Sequence, residues 1–313
     1  MSNIDMDDTP IGRAARQAAR MKNPNRNQLP KPPRCRKITI ANQKGGVGKT
    51  TSTVNLAWSL ALMGMRVLVI DLDPQGNAST ALDAVHHAGT PSSYEVLLNE
   101  MTIDEVMQGN RDNDNIFCVP ATIDLAGAEI NLVNEVRREY RLATALNDSW
   151  LEEQGFDYVF IDCPPSLGLL TINAMAAVDE VLIPIQCEYY ALEGVTQLID
   201  NIAMIRESLN PNLHISGVLL TMYDGRTKLS LNVSDDVRTH FGSVVLDNHI
   251  PRNVKVSEAP SYNMTVLQYD GGAPGALAYY DAAKEFAERG DYVPSPETAP
   301  IGIAPELHNG GVR

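Results

Sequence analysis

The chain has 313 residues, of which 44% are hydrophobic and 20% are charged, and this apolar content is enough for a substantial core. Its four cysteines show no Cys-x-x-Cys spacing and no histidines at zinc distance, which argues against a zinc site and favours reduced thiols. No apolar run reaches membrane-spanning length, so we expect a soluble cytoplasmic protein without a membrane partner.

Charge is unevenly distributed along the chain. Residues 1–37 hold nine of the 25 basic residues and three of the 39 acidic residues, which leaves residues 38–313 with a balance of −20. An acidic body argues against nucleic-acid binding unless a local basic surface exists. We interpret residues 1–35 as a disordered basic arm, within which residues 11–21 are a candidate for a short amphipathic helix.

Strands and helices alternate through the body of the chain. Apolar runs predict strands at 37–42, 66–71, 115–119, 157–162, 180–185, 214–221 and 244–250. Helical periodicity predicts helices near 50–63, 130–147, 168–177, 192–208, 230–240 and 276–289. We therefore predict one doubly wound α/β domain over residues 36–290, with a mostly parallel sheet and helices on both faces. A disordered Pro/Gly-rich tail is predicted at 291–313.

A glycine-rich motif, Lys-Gly-Gly-Val-Gly-Lys-Thr at residues 44–50, directly follows the first predicted strand. Its glycines allow consecutive backbone N–H groups to converge on phosphate oxygens, while Lys49 would neutralise the β/γ-phosphates and Thr50 would ligate Mg²⁺. Gln43 stands where the strict phosphate-binding loop has a glycine, and Lys44 opens the loop, as in the deviant class. A turn that binds nothing is the alternative, but the order of strand, glycines, Gly-Lys-Thr and helix favours nucleotide binding.

Two predicted strands end in aspartate. Residues 67–70 run into Asp71-Leu72-Asp73, and residues 158–161 run into Asp162. A carboxylate at a strand tip beside a phosphate-binding loop can hold Mg²⁺ or orient the attacking water, and we assign the first role to Asp162 and the second to Asp73. The alternative is that these aspartates only cap the helices that follow.

These motifs, together with three later segments, make the chain resemble the ParA-type (Soj-like) partitioning ATPases of the MinD/ParA group of deviant P-loop ATPases. The resemblance covers roughly residues 36–290. It rests on residues 41–51, 71–77, 162–166, 188–194, 221–227 and 250–253.

The resemblance implies an ATPase that uses ATP and Mg²⁺ and forms a sandwich homodimer when ATP binds. In that dimer Lys44 crosses to the partner's nucleotide, Lys49 and Thr50 act on the subunit's own ATP·Mg²⁺, and Asp73 aligns water for slow, partner-stimulated hydrolysis. Segments 222–224 and 250–253 are expected to border the adenine. The expected ATP contacts are Lys44, Gly45, Gly46, Val47, Gly48, Lys49, Thr50, Thr51, Met222, Asp224, Pro251, Arg252 and Asn253.

The resemblance also implies non-specific binding of double-stranded DNA by the ATP dimer. Arg226 and Arg252 match DNA-binding positions of the family, and Lys228 and Lys255 lie close to them in sequence. Such cations could track phosphates although the body is acidic, with solvated loop cations as the alternative. The implied partner is a centromere-binding ParB-type protein, the cargo a chromosome or plasmid, and the location the nucleoid.

Other functions remain open. The first is a MinD-type ATPase that positions proteins or membranes, although proline interrupts residues 296–313, where a membrane helix would lie. An iron–sulfur carrier would need paired cysteines, and we interpret Cys163 as a buried strand-end residue instead. A non-enzymatic nucleotide-gated adaptor, a small-molecule kinase or ligase, and a helix-turn-helix regulator are further alternatives.

Overall fold

The computed structural model describes residues 29–189 and 191–290. The candidate helix at 11–21 and the predicted tail at 291–313 lie outside these residues, so the arm and tail boundaries stay predictions.

A seven-stranded sheet runs through the described residues in the order β3-β4-β2-β5-β1-β6-β7. All neighbouring strands are parallel except β3, which is antiparallel to β4. This arrangement confirms the predicted fold class. The strands are β1 Arg36–Ile40, β2 Val67–Asp71, β3 Gln108–Gly109, β4 Ile116–Val119, β5 Tyr158–Asp162, β6 Glu180–Gln186 and β7 His214–Thr221.

Helices cover both faces of the sheet. The α-helices of the described residues are α1 Lys49–Leu62, α2 Asn77–Ala81, α3 Ser93–Leu98, α4 Ile103–Val106, α5 Ala128–Asn131, α6 Arg141–Ala145, α7 Asp148–Gln154, α8 Leu169–Ala177, α9 Glu193–Ser208, α10 Lys228–Phe241, α11 Val254–Glu258, α12 Val266–Tyr269 and α13 Pro274–Arg289. Short 3₁₀ helices lie at Ile123–Gly127, Leu132–Asn134, Arg138–Tyr140, Gly242–Val244 and Ala259–Tyr262.

The core has two halves, one on each face. Alternate residues of β2 point to opposite faces, so Leu68 lies in one half and Val67 in the other. Helices α8 and α9 cover the first half, while α1 and α13 cover the second. Burial on both faces explains why the strands are apolar throughout.

The predicted strand at 244–250 is wrong. This segment makes one isolated bridge, between Val245 and Val218 of β7. The Leu246 and Ile250 N–H groups also donate to the Val218 and Leu220 carbonyls of β7, at 2.9 and 2.8 Å. The backbone N–H groups of Asp247 and Asn248 instead donate to the Glu285 carboxylate of α13, at 2.7 and 2.9 Å. A side chain therefore interrupts the pairing with β7, and no continuous strand forms.

The predicted helix at 130–147 is also wrong in extent, because the structure breaks it into short helical pieces. Arg137 has a left-handed φ of +55°, which stops any continuous helix there. Asn173 of α8 then holds the backbone that follows the break, donating to the Arg138 carbonyl at 2.8 Å and accepting from the Leu142 N–H at 3.2 Å. Tertiary contacts thus override the local helical pattern.

One buried ion pair joins three elements at the amino edge of the sheet. Arg36 of β1 donates to both carboxylate oxygens of Glu180 in β6, from Nε at 2.8 Å and from Nη2 at 2.6 Å. Its Nη1 donates to the Phe286 carbonyl of α13 at 3.0 Å, and its guanidinium lies 4.3 Å from the Phe286 ring centroid. Both charged side chains are at most 3% exposed.

Candidate nucleotide-binding site

The glycine-rich loop connects the end of β1 to the start of α1, as the sequence predicts. Gly46 and Gly48 have φ angles of +74° and +90°, a region that residues with a Cβ rarely adopt. The first turn of α1 has no capping side chain and no acidic residue. Its N–H groups and the positive end of its dipole therefore face the loop, an arrangement that favours an anion.

Two side chains that the sequence analysis did not single out hold this loop in place. The Asn42 side chain donates to the Pro184 carbonyl of β6 at 2.8 Å and accepts from the Lys44 N–H at 3.0 Å. Thr221, the last residue of β7, donates to the Val47 carbonyl at 2.9 Å. The ends of β6 and β7 thus fix the loop conformation from one side.

Lys49 lies inside the loop. Its ammonium donates to the Lys44 carbonyl at 3.1 Å, so it joins the two ends of the loop. Burial lowers the pKa of the Lys49 ammonium, and the Asp162 and Asp73 carboxylates oppose that shift. Among the described residues, no hydrogen bond or ion pair engages the ammonium of Lys44.

Asp162 is fully buried at the end of β5, beside the last residues of β1 and β2 in the sheet register. Its Oδ1 accepts a hydrogen bond from Thr53 of α1 at 3.1 Å, while its Oδ2 is buried and has no hydrogen-bond partner in the described parts of the chain. Burial raises the pKa of Asp162 to about 8, and the nearby Asp71 charge adds to the increase. A buried carboxylate oxygen without a partner is costly unless a cation or donor approaches it.

These donors suit Mg²⁺. Thr50 supplies a hydroxyl at the start of α1 and Asp162 a buried carboxylate close to it, and oxygen ligands are the ones Mg²⁺ prefers. Within the described residues no group of three or more His, Cys, Asp and Glu side chains could hold a metal ion. Mg²⁺ would therefore need phosphate oxygens and waters to complete its shell, as in nucleotide sites.

Asp71 and Asp73 differ in their surroundings. Asp71 is fully buried and accepts three hydrogen bonds, from the Asp73 N–H at 3.0 Å and from the Ser79 N–H and hydroxyl at 2.8 and 2.7 Å. Burial raises the pKa of Asp71 to about 6. Asp73 is half-buried, and within the described part of the chain its carboxylate accepts only from the Gln75 N–H at 3.0 Å. Asp71 thus fixes the turn that carries Asp73.

A cavity of about 400 Å³ extends from the glycine-rich loop toward the β7 edge of the sheet. It brings Gly48 and Thr51 together with four of the predicted adenine contacts, Met222, Pro251, Arg252 and Asn253. Asp224 does not line it, because its carboxylate is turned to Arg226. Sequence reasoning missed Val256, Ser257, Pro260 and Tyr279, which also line the cavity and carry no motif.

The four predicted DNA-binding cations lie along one edge of the molecule. The Tyr223 N–H donates to the Ile250 carbonyl at 2.9 Å, and the Arg252 N–H donates to the Tyr223 carbonyl at 3.0 Å, so the two cation-bearing loops lie side by side. Three cations pair with local acids: Arg226 with Asp224, Arg252 with Glu188, and Lys255 with Glu258. Lys228 is exposed at the start of α10.

Two further predictions concern cysteine and membranes. Cys163 is buried, as predicted, and its Sγ lies 3.1 Å from the Thr39 hydroxyl. Burial raises the pKa of the Cys163 thiol to about 12. Among the described residues, no helix has the length and apolar character needed to cross a bilayer.

Comparison with known proteins places this site in a family. The model of a family described as an AAA domain matches residues 35–215, more than half of the chain. The sporulation initiation inhibitor protein Soj of Bacillus subtilis is 48% identical over 253 residues, which cover 81% of this chain and 98% of Soj. The chain belongs to the ParA/Soj family. The chromosome partitioning protein ParA of Caulobacter vibrioides is likewise 50% identical over 254 residues, or 81% of this chain and 94% of that protein.

Two solved structures share the fold of this chain. Cobyrinic acid a,c-diamide synthase from Mycobacterium smegmatis, crystallised with an ATP analogue and magnesium, has a TM-score of 0.70 and 37% identity, covering 82% of this chain and 95% of that one. MinD from Pyrococcus horikoshii, complexed with Mg-ADP, has a TM-score of 0.63 at 24% identity, covering 80% and 95% of the two chains, and supports the fold alone.

Proposed function

We propose that this protein is an ATP-dependent DNA-partitioning ATPase, in which ATP drives a homodimer onto DNA and hydrolysis releases it. One observation carries the proposal. Arg252 lines the cavity that opens from the glycine-rich loop, and the same residue is 61% exposed among the cations of the β7 edge. A nucleotide in the cavity would therefore contact the loop that presents charge to DNA phosphates.

At the phosphate end, the backbone of residues 45–48 and the start of α1 would bind the β- and γ-phosphates. Lys49 would leave the Lys44 carbonyl and donate to a phosphate oxygen. A charged acceptor offsets the cost of burying the Lys49 ammonium better than a neutral carbonyl does. Mg²⁺ on Thr50 and Asp162 would offset phosphate charge, and Asp73, which has a half-buried carboxylate, would orient the attacking water.

Lys44 supports the proposed homodimer. Its side chain has no partner among the described residues, although it stands at the mouth of the loop. We assign it to the nucleotide of a second copy of the chain. Hydrolysis would then remove contacts that hold the two copies together, which gives a switch between a DNA-bound dimer and a free monomer.

The proposed setting is cytoplasmic and nucleoid-associated, without a membrane. A ParB-type centromere-binding protein would stimulate hydrolysis, and the cargo would be a chromosome or plasmid. The relatives from Bacillus and Caulobacter are named for sporulation control and chromosome partitioning, which supports this assignment. A MinD-type positioning ATPase is the second candidate, because the same fold occurs in MinD.

The test is binding to random-sequence duplex DNA with ATP, ADP or no nucleotide, across a salt series. We expect binding only with ATP, falling steeply as salt rises, and lost in Arg226→Glu because phosphate contacts depend on exposed cations. Arg206→Glu is the matched control, since it makes the same charge change on an exposed residue near the end of α9.

Nucleotide-independent binding, or equal loss in both variants, would contradict the DNA switch. No DNA binding in any state, with ATP binding intact, would move the proposal to a protein- or membrane-positioning ATPase.

A further inference from the structure

One wall of the proposed nucleotide cavity is the short segment 253–256. The Asn253 side chain caps α11 by accepting a hydrogen bond from the Lys255 N–H at 2.9 Å. Val256 is the residue after Lys255 in this helix. Val256 lines the cavity of about 400 Å³ and also an adjoining cavity of about 200 Å³ beside α1. Its position therefore sets the width of the cleft on both sides.

A glycine lies directly behind this wall. Gly275 is the second residue of α13 and is buried. A Cβ at this position would lie 2.4 Å from Cγ2 of Val256 and 3.3 Å from Cβ of Asn253. Carbon atoms in contact are about 3.5–4.0 Å apart, so any side chain here would push the wall.

The wall can move in only one direction. Helix α13 is fixed behind it, because Ala276, Tyr279 and Phe286 are buried in the core that α13 shares with α1. The β-branched side chain of Val256 has one strongly preferred rotamer in a helix, so its methyl groups cannot swing aside. The open space lies on the cavity side.

We propose that Gly275 is a positioning residue for nucleotide binding, because it lets the 253–256 segment lie against α13 and keeps the nucleoside end of the cleft open. This inference rests on the proposed nucleotide site. It separates two parts of that site: the phosphate end, which the glycine-rich loop forms, and the nucleoside end, which depends on Gly275.

The experiment is isothermal titration of the full chain with ATP, ADP and inorganic tripolyphosphate. In Gly275→Ala we expect ATP and ADP to bind at least about tenfold more weakly, a change of one decade in Kd. Tripolyphosphate, which reaches only the loop, should bind as it does to the unchanged protein. The double variant Gly275→Ala/Val256→Ala should regain most of the ATP affinity, because it removes the methyl group that the new Cβ would meet.

Gly194→Ala is the matched control. Gly194 is also the second residue of a long helix, α9, but a Cβ there would have no atom of the described residues within 4 Å. We expect this variant to bind all three ligands normally.

The outcomes separate the inference from the function on which it rests. An unchanged protein that does not bind ATP would overturn the proposed nucleotide site itself. With that binding intact, unaltered ATP affinity in Gly275→Ala would overturn the role of Gly275, as would an equal loss of ATP and tripolyphosphate. If Gly275→Ala does not fold, the double variant decides: recovery of fold and ATP binding supports the contact, and failure to recover overturns it.

Discussion

Two arginine–carboxylate pairs in this molecule have nearly the same geometry and opposite surroundings. Arg36 and Glu180 form two parallel hydrogen bonds of 2.8 and 2.6 Å, and Arg226 and Asp224 form two of 2.8 Å. The side chains of the first pair are 3% and 1% exposed, and those of the second 89% and 23%.

Burial decides what each pair can do. In the first pair neither charge can find water if its partner is lost, so the pair is a fixed part of the fold. In the second pair water competes for both charges, and the net gain from the contact is small. Arg226 can therefore exchange Asp224 for a phosphate, whereas Arg36 has no such freedom. The same contact is structural at one edge of the sheet and replaceable at the other.

The largest effect is expected from breaking the buried pair. Glu180→Ala should lower the free energy of unfolding by about 3–5 kcal/mol, because it leaves the Arg36 guanidinium buried without its counter-ion. Urea denaturation followed by circular dichroism measures this. The double variant Arg36→Leu/Glu180→Leu is the control and should lie much closer to the unchanged protein, since it removes both charges. A cost under about 1 kcal/mol for Glu180→Ala would contradict this account.

Removing a buried charge with an unpaired oxygen should raise the stability instead, and Asp162 is such a group. The folded-state pKa of Asp162, about 8, is above its ordinary value of 3.8, so the stability linked to its protonated form is lost as pH rises between these values. Asp162→Asn should therefore stabilise the Mg²⁺-free, nucleotide-free protein at pH 8, where the buried carboxylate must carry charge, and by less at pH 5.

Urea denaturation with a chelator at both pH values tests this, with the exposed Asp235→Asn as control. A difference that does not grow with pH would show that the Asp162 carboxylate is not the group responsible. The same variant should lose Mg²⁺-dependent ATP binding, because it removes the charge that would hold the ion.

The smallest effect on stability is expected at the exposed pair. Asp224→Ala should leave the free energy of unfolding unchanged within error, because solvent replaces the lost contact. It should nevertheless strengthen ATP-dependent DNA binding, on the order of threefold, because Arg226 no longer has a competing anion. Glu258→Ala, which frees Lys255 in the same way, offers a second measurement. Unchanged DNA affinity in both variants would argue that these acids do not compete with phosphate.

The sequence predicts the centre of the molecule better than its edges. The strands that end at Asp71 and Asp162 are unbroken apolar runs, and their pattern follows directly from burial on both faces of the sheet. The glycine-rich loop has a fixed spacing because its backbone must surround a phosphate. Both features depend on residues that are adjacent in sequence, so they can be recognised without knowing the tertiary contacts.

Non-local contacts explain what the sequence could not predict. Glu285 interrupts the pairing of the segment at 244–250 with β7, and Asn173 holds the backbone that follows the break in the predicted helix at 130–147. Each partner lies more than 25 residues away and carries no motif. The cavity wall at Val256 depends in the same way on Gly275, whose role becomes visible only when the two helices are placed together.

The order of strands in the sheet has a consequence for synthesis on the ribosome. The strand that carries the glycine-rich loop is made first, yet Arg36 lies opposite Tyr158 of β5, more than 120 residues later, and its other neighbour β6 follows still further on. The strand before the loop can therefore pair only after residues 158–162 and 180–186 have been synthesised. The nucleoside end of the cleft can form only after Gly275 has been synthesised. Nucleotide can stabilise only the finished fold, so the unfinished chain must remain soluble without it.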